Sequence, residues 1–180
     1  MIYPVRVLGF GDNVVDCYEN TGIMYPGGNA ANFAVYARRF GAERSAYMGY
    51  FGNDPEAEHV IRSLEEEGVE LVRCRQLPGP NGKASNTVID GDRVFLGSNE
   101  GGVRGSTPYV LDRFGLAYCR EFDLVHTGNY CFTEKELPKL RDADRRQAVR
   151  PARRFDSCND PCFHDLLSSS SPFSFDLFIV

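Results

Sequence analysis

MYPGGNAANFAVYARRFGA, residues 24–42, is the strand-to-helix junction on which an α/β reading of this chain turns. Pro26, Gly27 and Gly28 stand directly ahead of a helical pattern in which Phe33, Tyr36, Ala37 and Phe40 recur at helical spacing, and Gly41 follows as a stop. The segment from Asn29 to Phe40 therefore reads as an amphipathic helix carrying that stripe. Glycines at such a junction let a ligand approach the main chain, and the first free N–H groups of the helix are available to its oxygens. Gly-Gly before a helix is equally a tight turn, so both readings stand at this point. Asn32, one turn in, offers a hydroxyl both a donor and an acceptor.

Upstream, VRVLGFGD (5–12) is a short apolar run ending in Gly and Asp, as a buried parallel strand entering a site-bearing loop would. GDNVVD then puts Asp12 and Asp16 just past the carboxyl end of that strand, where open α/β sheets place their ligands. A carboxylate there accepts from neighbouring sugar hydroxyls; the plainer reading is a pair of turn-forming aspartates. GFGD lacks the third glycine of a dinucleotide fingerprint, and no helix follows it at once. Residues 14–25 read as a hairpin around Asn20 to Gly22.

Downstream, a strand is expected from Ser45 to Phe51. NDPEAEHVIRSLEEEG is the clearest helix, with Asp54 as cap, Pro55 at its first position, Ala57, Val60, Ile61 and Leu64 as its buried stripe, and Gly68 at its end. VELVRCRQL (69–77) returns as a strand. The strand, helix, strand order predicts an α/β fold with a parallel sheet covered by helices on both faces. SNTVIDGDRVFLGS (85–98) breaks the rhythm: two β-rich arms flank Asp90-Gly91, a hairpin signal. Two ribbons, near 14–25 and 85–98, are expected to pair as a small sheet over one edge of the main domain. Thr107-Pro108 then opens a helix, FDLVHTG (122–128) is a strand, and Thr133 with Glu136 makes a capping box, with Pro138 awkward inside the helix that follows.

From residue 141 the pattern weakens. Residues 141–154 hold six arginines among few apolar side chains, SSSS (168–171) is of low complexity, and FDLFIV at 175–180 reads as a strand. The arginine run reads as a solvated face rather than a nucleic-acid surface, because the whole chain carries a net charge of -5 and backbone-tracking surfaces need a basic excess. No apolar run reaches the ~18 residues of a membrane span, and the N-terminus lacks a signal-peptide pattern, so no membrane partner and a cytoplasmic location are expected. The six cysteines are scattered, as buried or incidental thiols would be. Cys158, Cys162 and His164 approach metal-ligand spacing but supply too few ligands for zinc, so no metal site is expected.

GDNVVD, GGNAANFAVYARRFGA, GYFGND before a helix and a hairpin around DGDRVF together resemble the N-terminal half of the PfkB-type carbohydrate kinases, the ribokinase-like family. Within it, GDNVVD, GGNAANFAVYARRFG and DRVF followed by Glu100-Gly101 look most like fructoselysine 6-kinases. The resemblance implies a ribokinase-like, mostly parallel central sheet flanked by helices, with a small β-sheet lid. It divides the chain into a sugar-binding part, 1–140, and a degraded continuation of the same domain, 141–180, truncated on the C-terminal side.

By the same resemblance a sugar lies between the Gly-Gly helix mouth and the lid, contacted by Asp16, Gly27, Gly28 and Asn32, with Asn13, Arg93 and Glu100 further candidates at the site or lid. Asn53 and Asp54 match the residues that open the family's next helix, as caps. The family enzyme implies ATP and Mg2+, a small sugar or sugar-amine substrate, and a homodimer through the lid. Gly41 to Gly52 encloses one residue more than the family signature allows, which predicts a bulge or register shift near Tyr47.

The family's catalytic Asp sits in a GAGD motif that also forms its anion hole, and no GAGD occurs in these 180 residues. The chain alone is therefore expected to be inactive, to bind ATP poorly, and to be a fragment or a mis-framed reading of a longer kinase. Two other readings remain at this stage: a non-catalytic sugar-binding or lid-dimerising fragment, and an unrelated α/β phosphate or nucleotide binder.

Overall fold

The computed structural model describes residues 2–128, 136, 138–140 and, as backbone, 175–179. In chain order the elements are β1 (Tyr3–Gly11), β2 (Val14–Tyr18), β3 (Ile23–Gly27), α1 (Asn29–Arg39), β4 (Ala42–Phe51), α2 (Pro55–Glu66), β5 (Arg75–Gln76), β6 (Lys83–Ile89), β7 (Asp92–Ser98), α3 (Val103–Ser106), α4 (Arg113–Cys119), β8 (Leu124–Gly128) and β9 (Phe175–Ile179). They form a five-stranded sheet ordered β5-β4-β1-β8-β9 and a four-stranded sheet ordered β3-β2-β6-β7. In the larger sheet β5, β4, β1 and β8 run parallel, and β9 is antiparallel to β8.

Within the larger sheet the carboxyl-terminal parts of β1 and β4 are buried on both faces, because β4 alternates its side chains between two cores. Leu8 and Phe10 of β1, with Ala46, Met48 and Tyr50 of β4, share a core with Tyr118 and Cys119 of α4 and with Leu111 and Phe122 on either side of it. Tyr47 and Phe51 point the other way, joining Ala30, Ala31 and Ala34 of α1 and Ala57, Val60 and Leu64 of α2. Each large side chain so buried contributes about 1.5–3 kcal/mol. At the amino end of β4, Arg44 bonds Glu70 at 2.7 Å and Glu121 at 2.9 Å, and its guanidinium holds the Glu70 carboxyl below the usual range.

Several expectations are corrected. The expected aromatic stripe of α1 is not its buried face: Tyr36 and Phe40 are exposed, and the small Ala30, Ala31 and Ala34 pack inward. The cause lies on β1, where a Cβ added to Gly9 would stand 2.0 Å from the Ala30 carbonyl oxygen, so α1 rides too close to the sheet for large side chains. The strand expected at 69–77 shrinks to Arg75–Gln76 plus one bridge from Glu70 to Ala46, because the chain turns at Val72 and Arg73.

Thr107-Pro108 does not open a helix. Thr107 closes α3, and α4 starts at Asp112, whose carboxylate accepts from the N–H groups of Phe114 and Gly115. The register shift lies between Tyr3 and Arg6 of β1, while β4 pairs without interruption through Tyr47.

Asp54 caps α2 as expected, its Oδ1 accepting from Ala57 N at 2.9 Å. The two ribbons are hairpins that join side by side: β2 pairs antiparallel with β3, β6 antiparallel with β7, and β2 parallel with β6. Thr133 of the expected capping box, the arginine run, the C158/C162/H164 cluster and the proposed boundary at 140/141 lie outside the described residues.

Candidate functional site

The site region lies where β1 ends, β2 begins and α1 opens. Gly28 takes φ +99 at the mouth of α1, and a Cβ there would stand 2.6 Å from the Asn13 Cα and 2.9 Å from the Asp12 carbonyl oxygen. Only glycine lets the two chain segments pass so closely. No side chain of the local sequence caps α1. Asp12 caps it instead, from across the sheet edge, its Oδ2 and Oδ1 accepting from Asn29 N at 2.7 Å and Ala30 N at 3.1 Å. The Asp12 carbonyl accepts from Ala31 N at 3.2 Å. The helix-mouth donors expected to meet a ligand are therefore already engaged, which corrects that part of the cradle reading. A carboxylate at the positive end of a helix also favours its dipole.

Asn13 is buried and turned inward, its Nδ2 donating to the Tyr47 hydroxyl at 2.8 Å and the Tyr50 carbonyl at 2.7 Å. Its Oδ1 has no hydrogen-bond partner among the described residues. The expected site role of its amide gives way, for Nδ2, to tying the β1–β2 bend to β4.

Asp16 sits on β2, in register with Tyr25 of β3 and Ala84 of β6. Its Oδ1 accepts from Arg93 of β7 at 2.9 Å and from Asn86 of β6 at 3.1 Å, and Arg93 Nε donates to Asn86 Oδ1 at 3.0 Å. Three strands of the small sheet thus hold one carboxylate. The other oxygen faces Gly27: a Cβ added there would lie 3.0 Å from Asp16 Oδ2. Asp16, Arg93 and Gly27 are brought together, with Asn86 as a fourth member that the sequence did not single out.

Asn32 projects from the first turns of α1 and is exposed. Glu100 lies in the turn after β7, exposed, with φ +55. It stands two residues beyond Ser98, which pairs with Ala84, and its neighbour Asn99 donates to the Asn81 carbonyl at 2.7 Å.

Two further groups escaped the sequence reading. His126, buried at the carboxyl end of β8, shares a 2.6 Å hydrogen bond with the Asn29 Oδ1 and stacks on Phe33 at 4.7 Å. Burial pushes its pKa below the ordinary histidine value, against the nearby Asp12 charge. Asn81, 1% exposed, joins lid and body: its Oδ1 accepts from Gly52 N at 3.1 Å, its N–H donates to Asp54 Oδ2 at 2.8 Å, and its Nδ2 donates to the Gly82 carbonyl at 3.3 Å. Asn53 accepts from Gly79 N at 2.9 Å. Asp54 is thus the cap expected of it and reaches beyond its own helix, whereas Asn53 does not cap α2 and instead ties Gly79 to the start of that helix. An Asn between Pro80 and Gly82 is a weak local signal, and nothing in the sequence marks a bond spanning residues 52 to 81.

Comparison with known proteins agrees with this architecture. Residues 4–165 match the profile of the pfkB family carbohydrate kinases. The chain is 40% identical over 137 residues to fructosamine kinase FrlD of Bacillus subtilis, covering 76% of this chain and 48% of the relative. It is 28% identical over 147 residues to fructoselysine 6-kinase of Escherichia coli, covering 82% and 55%. The chain thus spans about half the length of the curated relatives it matches. Among solved structures, ribokinase from Giardia lamblia superposes with a TM-score of 0.62 at 16% identity, covering 85% of this chain and 53% of that one. At that identity the likeness shows the fold alone: a ribokinase-like α/β body with an attached β-sheet.

Proposed function

The chain belongs to the pfkB family of carbohydrate kinases, and on that premise we propose that it supplies the sugar-binding face of an ATP-dependent kinase for a fructosamine such as fructoselysine. The observation that carries this reading is the Asp16 carboxylate, half-buried on the small sheet, oriented by Arg93 and Asn86 and directed by its second oxygen toward the Gly27 main chain. Charge-assisted bonds from two sugar hydroxyls to such a group are stronger than neutral ones. Gly27 and Gly28 leave the main chain bare for a ring to approach, and Asn32 adds an amide that both donates and accepts. Because Asp12 engages the first N–H groups of α1, recognition falls to side chains and to the Gly27–Gly28 backbone rather than to the helix mouth.

ATP is the phosphoryl donor in this reading, and it carries Mg2+. Mg2+ in such sites is held by the nucleotide's phosphates with one or two carboxylates; among the described residues no group of three or more His, Cys, Asp or Glu could hold a metal ion by itself, and no step is routed through the metal. What this chain's residues do is bind and orient the sugar and carry the lid. The lid exposes Ile23, Phe95 and Leu96, which supports a homodimer through this sheet, to be tested by sedimentation at increasing concentration. Among the described residues no helix is long and apolar enough to cross a membrane.

Titration calorimetry with fructoselysine and with ribose, each with and without ATP, tests the reading. Heat with fructoselysine and no turnover of ATP is the expected result. Heat with neither sugar overturns the sugar-binding face, and phosphorylation by the 180-residue chain overturns the division of labour.

A further inference from the structure

Gly27 and Asn32, two residues of the cradle, are also the near wall of a groove of about 240 Å3 between β3, α1 and α2. The groove follows α1 from Asn32 to Arg39, about 10 Å at a rise of 1.5 Å per residue. Tyr25 on β3 and Tyr36 on α1 line it, and both leave about half their surface exposed. At the far end Arg39, the last residue of α1, donates Nε to Glu67 Oε2 at 2.9 Å and a second N–H to Glu67 Oε1. That pair lies toward solvent, where such a contact stabilises the fold by only about 0–1 kcal/mol. Polar groups therefore mark both ends of an aromatic channel, and the channel opens on the sugar cradle.

We propose that this groove is the subsite for the amine-side arm of the substrate, and that it selects a fructosamine whose amine belongs to an amino acid. The inference rests on the cradle reading above and extends it. With the sugar at Asp16 and Gly27, the methylene arm of a lysyl residue lies along the rings of Tyr25 and Tyr36, which gain apolar contact without losing a hydrogen bond. The free amino-acid head then reaches the ion pair with complementary charge: its ammonium meets Glu67 and its carboxylate meets the planar guanidinium of Arg39. A short amine leaves the pair untouched, so the far end of the groove discriminates arms without affecting the sugar.

The test is calorimetry of the 180-residue chain with two ligands that share the sugar, Nε-fructosyl-lysine and 1-deoxy-1-methylaminofructose. About a tenfold tighter Kd for the lysine adduct is expected, the size of one charge-assisted hydrogen bond. In an Arg39→Gln, Glu67→Gln double variant, the two ligands converge while the methylamino compound keeps its wild-type Kd. Equal affinity in the unaltered chain, or a preference that survives in the double variant, overturns the groove and leaves the cradle standing. Binding of neither ligand overturns the cradle and the groove with it.

Discussion

Asp12 and Asp16 stand four residues apart, yet their surroundings differ in kind. Asp12 is 5% exposed and gives both oxygens to backbone N–H groups of α1. Asp16 is half-buried and, among the described residues, hydrogen-bonds only side chains, through one oxygen, with the other directed at Gly27. The same division separates their neighbours: a Cβ added to Gly28 would meet backbone, the Asn13 Cα, at 2.6 Å, whereas one added to Gly27 would meet a carboxylate. On the body side the polar groups close the fold upon itself. On the lid side they are held in place but left with capacity to bind. A carboxylate beside a helix mouth is therefore not evidence of a ligand site until its hydrogen bonds have been followed.

This contrast breaks most visibly at Asp16. Asp16→Ala is expected to weaken fructoselysine binding about 100-fold or more, the loss of charge-assisted bonds to two hydroxyls, while the urea midpoint stays near wild type. Unchanged affinity would refute the division. Asp12→Ala should do the reverse in kind: two buried N–H groups lose their acceptor, at about 2–4 kcal/mol in total, read as a lowered urea midpoint. If Asp12→Ala unfolds no earlier than wild type, the cap is not a stability element.

Gly27→Ala sharpens the lid side. Its added Cβ meets the Asp16 oxygen at 3.0 Å, so the carboxylate must turn, and affinity should fall about tenfold, some 1.4 kcal/mol, with little change in melting temperature. A melting-temperature loss as large as that of Asp12→Ala would place Gly27 with the body instead.

The smallest effect concerns pH. The folded state holds His126 neutral, its pKa lowered by burial below 6.5. As pH falls through 6.5 the unfolded chain takes up a proton that the folded chain does not, so folding loses stability in that window. Melting temperature should drop between pH 7.5 and 5.5, and drop less in His126→Gln. Identical slopes in the two proteins would remove His126 from that account.

Much of this was legible where the physics is local. Asp54 before Pro55 announces its helix, Asp90-Gly91 announces its hairpin, and Gly27-Gly28 announces a close approach, because each depends on a few consecutive residues. The Asp12 cap, the Asn81 joint and the pairing of Asn86 with Arg93 and Asp16 depend on residues that meet only after the sheets form, and no spacing rule reports them. The α1 face was misread for a related reason: periodicity weighs aromatic side chains heavily, and the close contact of Gly9 with Ala30 that excludes them belongs to another strand. The strand expected at 69–77 failed because apolar residues at its start were followed by a turn at Val72 and Arg73.

The parallel pairing of β2 with β6 has a consequence in time. Each hairpin, β2–β3 and β6–β7, closes from neighbouring residues, but a lone hairpin is marginally stable in water. The bond between them joins Val15 to Lys83 and neighbours, with α1, β4, α2 and β5 between them in the chain. Contacts that distant close late, after their loop entropy has been met. Asp16 therefore waits on Arg93, and during synthesis the carboxylate that would grip a sugar has no guanidinium beside it until residues through β7 have left the ribosome.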